Sequence, residues 1–267
     1  MALRLIQANV GRSKGAQDLL LHTMAEQKMI FAVVAEPNYV PKDHPCWTGD
    51  ELGSVALTWR WIPGTPSCAP LERGQHYVAA RWGPTIVIGT YLPPSGTIEE
   101  YQKWLDDMAV YIRHLRNSPI IVAGDFNAWS TTWSSARTNA RGRLVEAWAA
   151  SMDLVLLNRG NTSTCVRPQG ESIIDLSWAS PAAARMVSDW KVSIDMEHLS
   201  DHRYILMSLA SLRSTSRRPG DERRWATRKL DEDAFQASIA ASLSPAICRR
   251  RSRNPTPVDH RDSHTRL

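Results

Sequence analysis

The chain has 267 residues, 43% of them hydrophobic, enough for one sizeable core and an appendage. Its net charge of +5 is unevenly placed: residues 1–210 hold 19 Lys/Arg against 20 Asp/Glu, and residues 211–267 hold 13 against 7. The body is thus close to neutral, and the excess charge belongs to a C-terminal segment that reads as a solvated linker or tail, with nonspecific attraction to nucleic-acid phosphate as the secondary reading. Cys46, Cys68, Cys165 and Cys248 lack any metal-ligand spacing, which argues against both a zinc module and a disulfide framework. No signal peptide opens the sequence and no apolar run reaches membrane-spanning length, so a reducing intracellular compartment is the expectation.

In chain order, short apolar runs alternate with amphipathic segments. Residues 3–9, 30–36, 54–59, 77–82, 85–91 and 120–125 read as strands, as do 154–158, 173–178, 190–194 and 204–210. Several are apolar at consecutive positions, the pattern of strands covered on both faces. Helices are expected over 14–28, 98–116 and 142–152. The second opens on Thr97-Ile98-Glu99-Glu100, a capping box. Ten strands with three helices predict two packed sheets flanked by helices rather than a doubly wound sheet. Near residue 211 the composition changes to that of a linker. The expected domain is thus 1–210, followed by a largely disordered basic segment, 211–267, with one short helix over 229–243.

Polar residues fall at the ends of these apolar runs. "LIQAN" ends on Asn9, "FAVVAE" on Glu36, "IVIGTY" on Tyr91 and "IIVAGD" on Asp125, which Phe126 and Asn127 follow. Asp175 lies within "SIIDLSW", and Ser200-Asp201-His202 precedes the last strand. A carboxylate at an apolar strand tip costs desolvation unless it is paired or bound to metal. Repetition of the pattern predicts that these side chains converge on one open cleft at the sheet edges, facing solvent or metal. Carboxylate and amide oxygens are hard ligands suited to Mg²⁺, and such a set suits phosphodiester hydrolysis with water activated by a carboxylate or His.

The motifs "QAN" (7–9), "AEP" (35–37), "TYLPP" (90–94), "GDFNA" (124–128), "SIIDLSWAS" (172–180) and "SDHR" (200–203) resemble, in order, those of the endonuclease/exonuclease/phosphatase superfamily. "TNARGRLVEAW" (138–148) and "DLVLLNRGNTSTCVR" (153–167) resemble the N-terminal endonuclease of insect non-LTR retrotransposon polyproteins, in which a reverse transcriptase follows downstream; none is present in this chain. The resemblance implies an α/β fold of the DNase I type, a four-layer sandwich of two mixed β-sheets flanked by helices. It implies Mg²⁺, or Mn²⁺ in its place, and a double-stranded DNA substrate nicked in the nucleus to prime reverse transcription. Glu36 would be the principal metal ligand, with Asn9 and Asp201 orienting the metal or its water. Asp125 would position or deprotonate the attacking water and Asn127 would hold it. His202, fixed by Asp175, would donate to the scissile phosphate, and Tyr91 would contact phosphate.

One position departs from many abasic-site endonucleases, which carry an acidic residue two places after the first-strand Asn; here Gly11 stands there, which argues against a second first-strand metal ligand and leaves the Glu36 site intact. Trp129 and Trp133, just beyond the catalytic turn, suit base stacking and loop packing about equally. Two other functions compete with DNA nicking: a phosphatase of inositol phosphates or phospholipids on the same fold, and an inactive element remnant. His22, His44, His76 and His114 carry no motif context and are left without a role.

Overall fold

The structure is a computed structural model that describes residues 3–115 and 118–210. The chain runs through β1 (Leu3–Asn9), α1 (Lys14–Glu26), β2 (Phe31–Ala35), β3 (Trp47–Gly49), β4 (Val55–Trp59), β5 (Cys68–Arg73) and β6 (Tyr77–Trp82). It continues through β7 (Thr85–Tyr91), α2 (Ile98–His114), β8 (Ile120–Asp125), α3 (Ala140–Ser151), β9 (Val155–Leu156) and the pair β10 (Cys165–Arg167) and β11 (Gly170–Ser172). Last come β12 (Asp175–Ala179), α4 (Pro181–Ala184), β13 (Val187–Val192) and β14 (Ile205–Leu209).

Two six-stranded sheets result among the described residues, ordered β13-β14-β1-β2-β4-β3 and β5-β6-β7-β8-β12-β9. Each is mixed, with one parallel pair, β1/β2 in the first and β7/β8 in the second. Strand alternation assigns the layers. Leu5, Val33 and Leu57 meet Val78, Val87 and Ile121 between the sheets. On the outer faces, Ile6, Ala8 and Val34 pack on Leu20 and Met24 of α1, and Ile88, Val122 and Leu176 pack on Tyr101, Leu105 and Trp148 of α2 and α3. Strands covered on both sides explain the near-continuous apolar runs, and the four-layer architecture is the expected one.

Local signals set the helix starts. Ser13 caps α1 through Ala16 N, Thr97 and Glu100 form the capping box of α2, and Asn139 caps α3 through Gly142 N at 2.7 Å. Asn139 moves the start of α3 two residues ahead of the expected 142. α1 ends at Glu26 rather than 28, where Lys28 turns left-handed (φ 54°). Four strands were not anticipated. β3 is three residues long, β5 is an exposed edge with a register shift at Pro70, and β10–β11 is an exposed hairpin. Edges and bulges are where a strand tolerates proline and needs no apolar alternation. No described helix is long and apolar enough to cross a membrane. The linker, the tail and the helix expected over 229–243 lie outside the described residues.

Candidate active site

The alternation that builds the core also builds the site. Leu3 and Leu5 face the opposite sheet, so Gln7 and Asn9 do too; Ile121 and Ala123 bring Asp125 to the same space, and Val87 brings Tyr91. Asp175 stands in register with Asp125, and Tyr91 with Asp125 on the other side. Three strands of the second sheet therefore present Tyr91, Asp125 and Asp175 side by side, across from Asn9 of the first.

Gln7 fixes the spacing of the two sheets one step below the site. Its amide donates to Gly124 O at 3.1 Å and accepts from Ser177 Oγ at 2.9 Å, and Trp190 Nε1 donates to that hydroxyl at 3.1 Å. Gly124 leaves no alternative at its position, because a Cβ there would sit 1.8 Å from Thr90 O. Gln7 lies within a motif noted from sequence, but its cross-sheet role depends on partners more than a hundred residues away.

Above it, Asn9 joins the two carboxylates. Gly11 N donates to Asn9 Oδ1 at 2.9 Å, which turns the amide so that Nδ2 donates to Glu36 Oε2 at 3.1 Å and to Asp125 Oδ2 at 2.9 Å. The two carboxylate oxygens are thus no farther apart than the sum of those distances. In a regular strand Glu36 would follow Val34 toward α1. A left-handed backbone (φ 46°) turns it instead to the end of the sandwich, where Arg12 lies 3.8 Å away. Gly11, the departure seen in sequence, here serves as the donor that orients Asn9.

Asp125 also accepts from Asn127 N at 2.9 Å, and Asn127, itself left-handed (φ 45°), donates through its side chain to Leu92 O at 3.1 Å. Burial, then the charge of Asp175, pushes the Asp125 carboxyl up to about 7, against the opposing influence of His202, Asn127 and Asn9. His202 Nδ1 meets Asp175 Oδ2 at 2.8 Å. Burial disfavours charge on this ring, but the charge and hydrogen bond of Asp175, joined by Cys165 and Asp125, outweigh it and lift the pKa to about 11. The ring is then an imidazolium at neutral pH, with both nitrogens as donors. Burial raises the Tyr91 phenol above its usual value, and the adjacent Glu36 carboxylate adds to the rise.

Asp125, Asp175 and His202 are 2%, 3% and 3% exposed. This corrects the expectation of solvent-facing side chains in an open cleft: the groups sit between the sheets, where hydrogen bonds offset their desolvation. Asn9, Glu36, Tyr91, Asp125, Asn127, Asp175 and His202 gather at one end of the sandwich. Asp201 is placed differently, with its exposed carboxylate on Arg167 Nε at 3.1 Å. Trp133 is buried edge-on against Trp178, and Trp129 lies under Arg137 at 5.1 Å. Trp133 is therefore a packing residue.

Two acidic groupings could hold a cation. Glu36, 22% exposed, faces Asp125 across the Asn9 amide and offers oxygen donors only, which fits Mg²⁺ or Mn²⁺. Ligand atoms of Asp125, Asp175 and His202 lie within 4.8 Å of one another. That second group is almost wholly buried, and its His–Asp pair is already satisfied. The Glu36 side fits the better.

Two mixed sheets flanked by helices, with this polar constellation at their strand ends, make a DNase I-like endonuclease fold. Residues 85–206 match the family described as endonuclease-reverse transcriptase. The endonuclease domain of TRAS1, a telomere-specific non-LTR retrotransposon, is similar at a TM-score of 0.65 and 23% identity, over 79% of this chain and 99% of that one. The 3′ phosphatase NExo from Neisseria, bound to a product DNA hairpin, is similar at 0.60 and 15%, over 78% and 99%. The 3′-5′ exonuclease NExo of Neisseria meningitidis gives 0.59 and 15%, over 78% and 100%. No curated protein sequence matches the chain.

Proposed function

We propose that the chain is a divalent-metal-dependent endonuclease that nicks double-stranded DNA and, in a non-LTR retrotransposon, opens the chromosomal target in the nucleus for reverse transcription. The observation that carries this reading is the Asn9 amide shared between Glu36 and Asp125, opposite the buried His202–Asp175 pair. Glu36 would hold the cation, which would supply positive charge to the phosphate as it is attacked. Asp125 takes a proton from the attacking water, a task for which a carboxyl pushed up to about 7 is suited near neutral pH. Asn127 holds that water beside it. His202 donates its second N–H to the phosphate as charge accumulates, and Asp175 keeps the ring charged and oriented. Tyr91 contributes a hydroxyl on the Glu36 side. The reading gives Asp201 no metal, because its exposed carboxylate turns to Arg167.

The retrotransposon assignment draws support from the residues 85–206 match and from the likeness to the TRAS1 domain. Incubation of the full chain with supercoiled plasmid tests it. Nicked circles that form with Mg²⁺ and vanish with chelator are expected. Hydrolysis of inositol polyphosphates with intact plasmid would instead establish the phosphatase.

A further inference from the structure

Asp50 is 1% exposed, and among the described residues its carboxylate forms no ion pair; the Arg73 guanidinium donates only to its backbone carbonyl, at 3.4 Å. Its Oδ1 accepts from Ser54 N at 2.6 Å and Val55 N at 3.1 Å, and its Oδ2 from Ser54 Oγ at 2.7 Å and His76 N at 3.2 Å. The Ser54 and Val55 contacts alone would close the turn into β4. The His76 contact does something more, because it reaches the start of β6 in the other sheet. Both segments that Asp50 grips then hand a carbonyl to a site residue: Ser54 O accepts from Glu36 N at 2.8 Å, and His76 O accepts from Tyr91 N at 3.1 Å and from Thr90 Oγ1 at 2.9 Å.

Two of the residues involved are strained. Glu36 (φ 46°) and His76 (φ 66°) both take the left-handed conformation that non-glycine residues avoid, and such backbone persists only where its surroundings over-determine it. Asp50 supplies that constraint to both at once. From this we infer that Asp50 is a positioning residue, a clamp across the two sheets that holds Glu36 and Tyr91 in the geometry needed for cation binding. The inference rests on the reading of Glu36 as the cation ligand. Asp50 acts through Ser54 and His76 and touches neither substrate nor cation. An amide in its place keeps the shape but turns one donor toward donors and removes the charge that gathers them.

The test is Asp50→Asn in the full chain, with Mn²⁺ alone as the probe. Calorimetric titration is expected to show Mn²⁺ affinity weakened about 10- to 100-fold, the scale for losing support behind a ligand. Hydrogen exchange is expected to quicken at the Glu36 and Tyr91 amides. The Mg²⁺ midpoint for nicking should rise by a similar factor, while turnover at saturating Mg²⁺ falls much less. Leu105→Ala, a change on the buried face of α2, lowers melting temperature but keeps Mn²⁺ affinity, which separates positioning from general loss of stability. Wild-type affinity and wild-type exchange in Asp50→Asn would overturn the clamp. If Asp50→Asn does not fold, Ser54→Ala removes one of the four donors, and the same shifts are expected at several-fold size; unchanged values would again overturn it. A wild-type chain that binds no Mn²⁺ would sink the reading of Glu36 itself, and the clamp with it. That outcome is distinct because the wild type, and not only the variant, is then silent.

Discussion

His202 and Asp175 share a 2.8 Å contact while both are almost fully withdrawn from water, although one precedes the last strand and the other opens β12. A buried ion pair is costly to break from either side, since the remaining charge is left without a partner. Mutations here act on folding and on chemistry together, and variants must be chosen to separate the two.

Asp175→Asn keeps the shape and removes the charge that counters the burial of His202. The ring's pKa, lifted to about 11 in the wild type, then falls, and the imidazolium is lost at lower pH. Nicking by this variant should decline as pH rises from about 7 to 9, where the wild type still holds a charged ring. A pH–rate profile at saturating Mg²⁺ checks it, and identical alkaline limbs in the two proteins would remove Asp175 from that role.

His202→Ala should lower nicking by at least about 10²-fold, the scale of losing a transition-state donor. It should also destabilise the fold by about 3–5 kcal/mol, because Asp175 stays buried and unpaired. Denaturant melts measure the second effect. A melt unchanged from wild type would mean that water reaches Asp175 freely.

Asp125 gives a pH dependence of stability in the metal-free protein. Its folded pKa of about 7 lies above the ordinary 3.8, so between those values the folded state binds more protons than the unfolded state. Its contribution to stability is therefore full below 3.8 and is lost as pH rises through 7. Melting temperatures in chelator should show this decline, and Asp125→Asn should flatten it while abolishing nicking. The slope carries the test rather than the offset, since an amide also disturbs the bonds from Asn9 and Asn127. A decline equally steep in the variant would assign it to another group.

Asn9→Ala removes the donors that hold Glu36 and Asp125 at a fixed spacing. Nicking should fall about 10- to 100-fold, as for loss of a group that orients a ligand. Asn9→Asp should not restore it, because a third carboxylate adds repulsion where the wild type supplies N–H groups. Recovery in Asn9→Asp would make the residue a metal ligand through its oxygen.

The sequence by itself determined the sandwich and most of the site's membership. Apolar runs buried on both faces announce inner strands, and period-two alternation decides which side chain of each strand faces the other sheet. Asn9 and Asp125 could therefore be read from where those runs end, Asp175 only from its place within "SIIDLSW", and the start of α2 from Thr97 and Glu100. Only the tertiary structure decided what these groups touch. The Asn9 amide points at two carboxylates because Gly11 occupies its oxygen, and no run of residues records that. Asp50 belongs to no motif of the sequence, and His76 reads as a histidine without context, until the second sheet brings them to 3.2 Å. Asp201, beside His202 in sequence, turns outward to Arg167. Periodicity is a property of neighbours along the chain, so the chain displays it. Burial, strain and hydrogen-bond partnership depend on residues far apart in sequence and arise only when the two sheets close on one another.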